Sequence, residues 1–105
     1  MMKIKHRDEI YEVDVNGFLV DSKKWNPNWA DYIRMKEGID KLGDEHNATI
    51  IALREHYQKH GSAPLIRLFY KCTNLSLTRA YELFPSGPGK GACKMAGLPK
   101  DSSYI

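Results

Sequence analysis

Between Leu83 and Lys100 the chain sets three prolines and four glycines around one cysteine, Cys93. No other stretch restricts its own backbone so heavily. A segment that only closed a core would need little of this punctuation. The stretch is therefore expected to present Cys93 and the residues after it to a partner, with the upstream chain as scaffold. Pro85 ends a preceding helix, and Ser86-Gly87-Pro88 opens a last one that runs through about Ala96 and closes at Gly97. Cys93 falls in its second turn. Lys90, three residues back, and the adjacent Lys94 favour the thiolate, the nucleophilic form of the side chain. Leu98 to Ile105 reads as an extended, mobile arm.

The rest of the chain is that of an ordinary globular protein. Its 105 residues suit one domain with a single modest core. No run approaches the ~18 apolar residues of a membrane span, so no membrane insertion is expected. The start, Met1 to Glu9, has no apolar signal core, which makes the cytoplasm the expected location. Two cysteines are too few for a disulfide framework and lack zinc-site spacing. Cys72, inside the amphipathic Leu68-Phe69-Tyr70-Lys71-Cys72, reads as a packed thiol. His56 and His60 share a helix face but have no third ligand nearby, so no metal and no cofactor are expected. Charge is uneven: residues 64–105 hold six Lys/Arg against Glu82 and Asp101. Such a positive end steers toward acidic partners or nucleic acid.

Patterning supplies the elements. Ile10 to Val15 alternates, and Asn16-Gly17 predicts a hairpin to Phe18-Leu19-Val20, with Arg7-Asp8-Glu9 as a further turn. Asn26 and Pro27 open a helix carrying Trp29, Tyr32 and Ile33 on one face, stopped by Gly38. Asp44 caps a helix over Glu45 to His60, with Ile50, Ile51, Leu53 and Tyr57 as its apolar stripe and Gly61 as its stop. A helix from Leu65 to about Cys72 buries Ile66, Phe69 and Tyr70. Ser76 caps another from Leu77 to Phe84. These last two have helix-turn-helix proportions, but the second carries only Arg79 as a basic residue, thin provision for DNA.

With these residues in hand the chain resembles the DsrC/TusE family of sulfur-relay proteins, which includes the gamma subunit of dissimilatory sulfite reductase. The resemblance runs through Val13-Asp14, Gly17-Phe18-Leu19, Trp25, Glu37-Gly38-Ile39, Leu53-Arg54-Glu55-His56-Tyr57, Gly61, Ala63-Pro64 and Ile66-Arg67. It is densest from Tyr81 to Lys100. It implies a mainly α fold: a small N-terminal β-hairpin region (1–22), an orthogonal helical bundle with helix-turn-helix character (23–97), and a flexible C-terminal arm (98–105). In the family the arm holds two cysteines, one where Cys93 stands and a penultimate one that carries persulfide sulfur. Here Tyr104 occupies the penultimate place. A phenol of pKa about 10 holds no persulfide.

Two readings follow. In the first, the chain docks on a sulfite-reductase-like or sulfur-relay partner through its C-terminal region, with Lys90, Lys94, Lys100, Tyr104 and Ile105 as contacts and Cys93 as the sulfur-carrying thiol. In the second, the same fold is a regulatory or DNA- or protein-binding module without sulfur transfer. No independent catalytic constellation stands out: Gly87-Pro88-Gly89-Lys90-Gly91 lacks the full phosphate-loop pattern. The partner and the oligomeric state stay open.

Overall fold

The computed structural model describes residues 2–100. Strand β1 (Met2–His6) pairs antiparallel with β2 (Glu9–Val13), Met2 opposite Val13 and His6 opposite Glu9. Arg7 and Asp8 turn between them at φ 49° and 69°. Two successive left-handed residues match the twist of the strands they join. The β1–β2 hairpin thus closes at Arg7-Asp8, the further turn the pattern offered, while Asn16-Gly17 turns the chain without producing a paired strand after it. Asp14 explains the difference. Its Oδ1 accepts from the N–H groups of Asn16 (2.8 Å) and Phe18 (3.0 Å), stapling a compact turn. The chain then makes a single bridge, Val13 to Leu19, before Asp21 caps the 3₁₀ turn Ser22–Lys24. Phe18-Leu19-Val20 has no room to become a strand.

Four helices follow: α1 (Pro27–Glu37), α2 (Asp44–His60), α3 (Ile66–Thr73) and α4 (Leu77–Leu83). Asn26 caps α1 as expected, its side chain accepting from Trp29 N at 3.1 Å. Ser76 caps α4 in the same way, accepting from Arg79 N at 3.0 Å. The cap of α2 is Gly43 rather than Asp44. Its N–H donates to His46 Nδ1 (3.1 Å), while His46 Nε2 reaches the Leu83 carbonyl (2.9 Å). A backbone N–H only donates and a carbonyl only accepts, so Nδ1 of the buried His46 accepts and its Nε2 donates. Arg79 pairs with Glu45 and Glu82, tying α4 to the start of α2.

The hairpin is fastened to α1 by Asp31. Its carboxylate takes His6 Nε2 (2.9 Å), Arg34 Nε (2.9 Å) and Arg7 Nη2 (3.3 Å). These contacts, the His6 bond foremost and Arg34 next, hold it below the usual carboxylate range.

Trp29, Phe69, Phe84, Leu19, Leu53, Met95, Leu98 and Val13 are wholly buried and join one core. Two expected core residues lie outside it: Ile51 is 60% exposed and Ile66 is 44% exposed. The α2 face that is buried carries His46, Thr49, Ile50 and Leu53. Phe84, Ala92, Cys93, Met95, Ala96 and Leu98 sit inside the core rather than displayed on it, while Pro85, Ser86 and Lys90 stay exposed. The small residues of the buried set, Ala92, Cys93 and Ala96, let the backbone approach α1 and α2, which is what the glycine and proline punctuation serves.

Candidate functional site

After α4 the chain turns at Pro85-Ser86 and enters a π-helix, Pro88–Cys93, where the Lys94 N–H reaches back to the Gly89 carbonyl. This wide turn replaces the ordinary helix expected from Ser86 to Ala96. Gly91 makes it feasible, because a Cβ there would lie 2.9 Å from Phe84 Cβ. π-turns concentrate at functional sites.

Both ends of this helical stretch are held by side chains from elsewhere. At its start Glu37 accepts the Ser86 N–H (Oε1, 2.9 Å) and the Ser86 hydroxyl (Oε2, 2.7 Å). At its end four successive carbonyls are satisfied. Leu98 N donates to Cys93 O (3.1 Å), Trp29 Nε1 to Lys94 O (2.8 Å), Trp25 Nε1 to Met95 O (2.9 Å), and Arg54 Nη1 to Ala96 O (2.9 Å). The Arg54 guanidinium stacks 4.5 Å over the Trp25 ring, and burial pulls its pKa below the usual arginine value. Gly97 turns the chain at φ 75° directly against Trp25, where a Cβ would come within 2.5 Å of the ring.

Cys93 is thereby fixed at the floor of a cleft of about 10 Å³, room for roughly one water. It is only 2% exposed. Phe18, Ala63, Gly89, Lys90, Pro99 and Lys100 complete the lining. Of the three lysines singled out in the sequence, Lys90 and Lys100 line this cleft with Cys93. Lys94 does not: its ammonium lies 4.9 Å over the Phe18 ring and lines a separate recess with Lys90. Tyr104 and Ile105 lie outside the described residues, as does the arm from Asp101 onward; Leu98, expected to begin that arm, is fully buried.

Cys72 sits in α3, half-buried, with its thiol directed at the Phe69 carbonyl (3.6 Å); burial pushes its pKa up. It lines a cleft of about 530 Å³ with His56 and His60, and only Ala63 is shared between this cleft and that of Cys93. The two histidine rings stack at 4.4 Å. Among the described residues no group of three His, Cys, Asp or Glu is placed to hold a metal ion, and no helix is long and apolar enough to cross a membrane.

Arg54, Glu37 and Phe18 carry the family resemblance in the sequence, but their roles at this site were not read from it. Arg54 had a signal: a charged residue four after Ile50 and directly after Leu53 stands beside a buried stripe. Glu37 and Phe18 had no local pattern that gave their roles, because Glu37 meets Ser86 across 49 residues and Phe18 meets the distant Lys94 ammonium.

The profile of the DsrC-like protein family matches residues 5–104. The chain is 44% identical over 105 residues to the gamma subunit of dissimilatory-type sulfite reductase from Nitratidesulfovibrio vulgaris, covering all of both chains. It is 35% identical over 101 residues to the sulfurtransferase TusE of Escherichia coli, covering 90% of this chain and 92% of that one. Among solved structures, that described as dissimilatory sulfite reductase I (DsrI) superposes with a TM-score of 0.90 at 44% identity, over 96% of this chain and 97% of that one. The oxidized gamma subunit of dissimilatory sulfite reductase (DsrC) from Archaeoglobus fulgidus superposes at 0.81 with 32% identity and the same coverage.

Proposed function

Because the chain belongs to the DsrC-like protein family, we propose that it works in sulfur metabolism, docking on a sulfite-reductase-like or sulfur-relay partner through its C-terminal region. Cys93 is the thiol that takes sulfur in this reading. What carries it is the cleft itself: Cys93 stands where two lysines and the last described residues converge. A thiolate, and the persulfide it forms, are both anions, and Lys90 and Lys100 stabilise either.

The transfer is a simple exchange. The Cys93 sulfur attacks the outer sulfur of a donor persulfide; a new S–S bond forms at Cys93 and the donor's S–S bond breaks. The donor leaves as a thiol, taking the proton Cys93 gives up, so no external oxidant is needed. Burial of the thiol requires Pro99-Lys100 to move aside first, and a docked partner supplies that displacement. Docking and chemistry are then coupled: the thiol is protected until the C-terminal segment is engaged. The setting is cytoplasmic, where a reducing milieu keeps both cysteines as thiols.

The test is intact-protein mass after exposure to a low-molecular-weight persulfide donor or polysulfide. A gain of one sulfur, lost in Cys93→Ser and retained in Cys72→Ser, is expected. Sulfur that never appears on Cys93, even with a cognate partner bound, eliminates sulfur carriage and leaves the binding-only module.

A further inference from the structure

A second recess, of about 190 Å³, lies beside the Cys93 cleft and plays no part in that exchange. Lys36 from α1 and Lys90 and Lys94 from the last helical stretch all line it, with Tyr32, Glu37 and Ser86. Lys94 is the unusual member. Its side chain is half-buried, its ammonium lies over the Phe18 ring, and it passes so close to Gly17 that a Cβ there would sit 3.3 Å from Nζ.

No carboxylate among the described residues comes within ion-pairing distance of these three ammonium groups. The nearest candidate is committed elsewhere: both oxygens of Glu37 accept from Ser86. The charges that act on Lys94 are Glu37 and Asp14 on one side, and Lys36 and Lys90 on the other. Burial dominates them and pulls Lys94 below the usual lysine range. A half-buried ammonium with no ion pair is costly to maintain, and a bound anion offsets that cost.

We propose that this recess binds a small, doubly charged oxyanion of the size of sulfate or sulfite. The volume selects the class. It falls below the roughly 300 Å³ at which pockets for larger organic ligands begin, so nucleotides and cofactors do not fit. Three lysines from two separate elements line it, and their ammonium groups offer the N–H donors that a tetrahedral or pyramidal oxyanion takes. Lys90 lines both this recess and the Cys93 cleft, so a bound anion draws its ammonium away from the thiol. The inference stands on the recess alone and holds whether or not Cys93 carries sulfur.

Calorimetric titration at constant ionic strength tests it, with sulfate and sulfite as probes and chloride as the control. Saturable 1:1 binding of both dianions is expected, weakened about tenfold in each of Lys36→Met, Lys90→Met and Lys94→Met. Lys36 and Lys90 are exposed, so their variants report on the site without threatening the fold. Binding no stronger than that of chloride, or binding that survives all three substitutions unchanged, overturns the proposal.

Discussion

Trp29 Nε1 donates to the carbonyl of Lys94 at 2.8 Å, a hydrogen bond spanning 65 positions of sequence. With Trp25 to Met95 and Arg54 to Ala96, it makes α1, the segment before it and α2 into a socket for the last helical stretch. The residue before the first of these capped carbonyls after the π-helix is Cys93. Its position is therefore set by three side chains that never line its cleft.

Trp29→Phe removes both the donor and part of a wholly buried ring. The Lys94 carbonyl keeps a second donor, Gly97 N at 3.0 Å, so the main loss is packing. A destabilisation of about 2–4 kcal/mol is expected, read from the midpoint of urea unfolding at unchanged slope. Trp25→Phe is expected to cost less, because that ring is only half-buried and water can reach the Met95 carbonyl.

Glycine substitutions separate backbone conformation from close approach. Gly38 and Gly97 have nearly the same positive φ, 73° and 75°. A Cβ at Gly38 meets nothing, whereas at Gly97 it runs into the Trp25 ring. Gly38→Ala is expected to cost about 1 kcal/mol, the left-handed penalty alone. Gly97→Ala is expected to cost clearly more and to shift the Trp25 fluorescence; equal losses at both sites would show that the Trp25 contact contributes nothing.

The same residues show what was readable in the sequence. Helix bounds were legible wherever one residue dictates the backbone, as at Asn26-Pro27, Gly38, Gly61 and Ser76. The turn at Arg7-Asp8 was legible, but the strand expected after Asn16-Gly17 was not formed: Asn-Gly is a strong local signal, while the staple by Asp14 depends on a side-chain bond that the pattern does not encode. Cys93 was legible as a special residue, but its burial was not. Glycine and proline density marks constrained backbone equally well in a displayed loop and in a helix packed tightly into a core. Only the long-range partners, Trp25, Trp29 and Arg54, decide between them.

Acid sensitivity is expected in two separate windows. His56 titrates below the ordinary imidazole value, through burial first and the neighbouring His60 second. The unfolded chain then binds its proton more readily than the folded one, so stability falls as pH drops through about 6.5. His56→Gln is expected to flatten urea midpoints measured between about pH 7.5 and 5. Asp31 is displaced in the same direction but as an acid: its contribution is present above the usual carboxylate value and is lost as pH falls through its lowered one. Asp31→Asn should therefore remove stability at neutral pH and leave a shallower loss in strong acid.

Labelling kinetics address the thiol. Cys93 is 2% exposed at the floor of a one-water cleft, and Cys72 is half-buried beside a much larger one. In a Cys72→Ser background, reaction of Cys93 with a bulky disulfide reagent should be at least about 100-fold slower than in the urea-unfolded chain, since attack must wait for local opening. Phe18 forms one wall of the cleft and is itself buried, so Phe18→Ala should accelerate labelling by more than it destabilises the whole protein. Acceleration that merely tracks global stability would mean that Cys93 reacts through complete unfolding. Acceleration beyond it would mean that the cleft admits the reagent without complete unfolding, the access that sulfur transfer through this thiol requires.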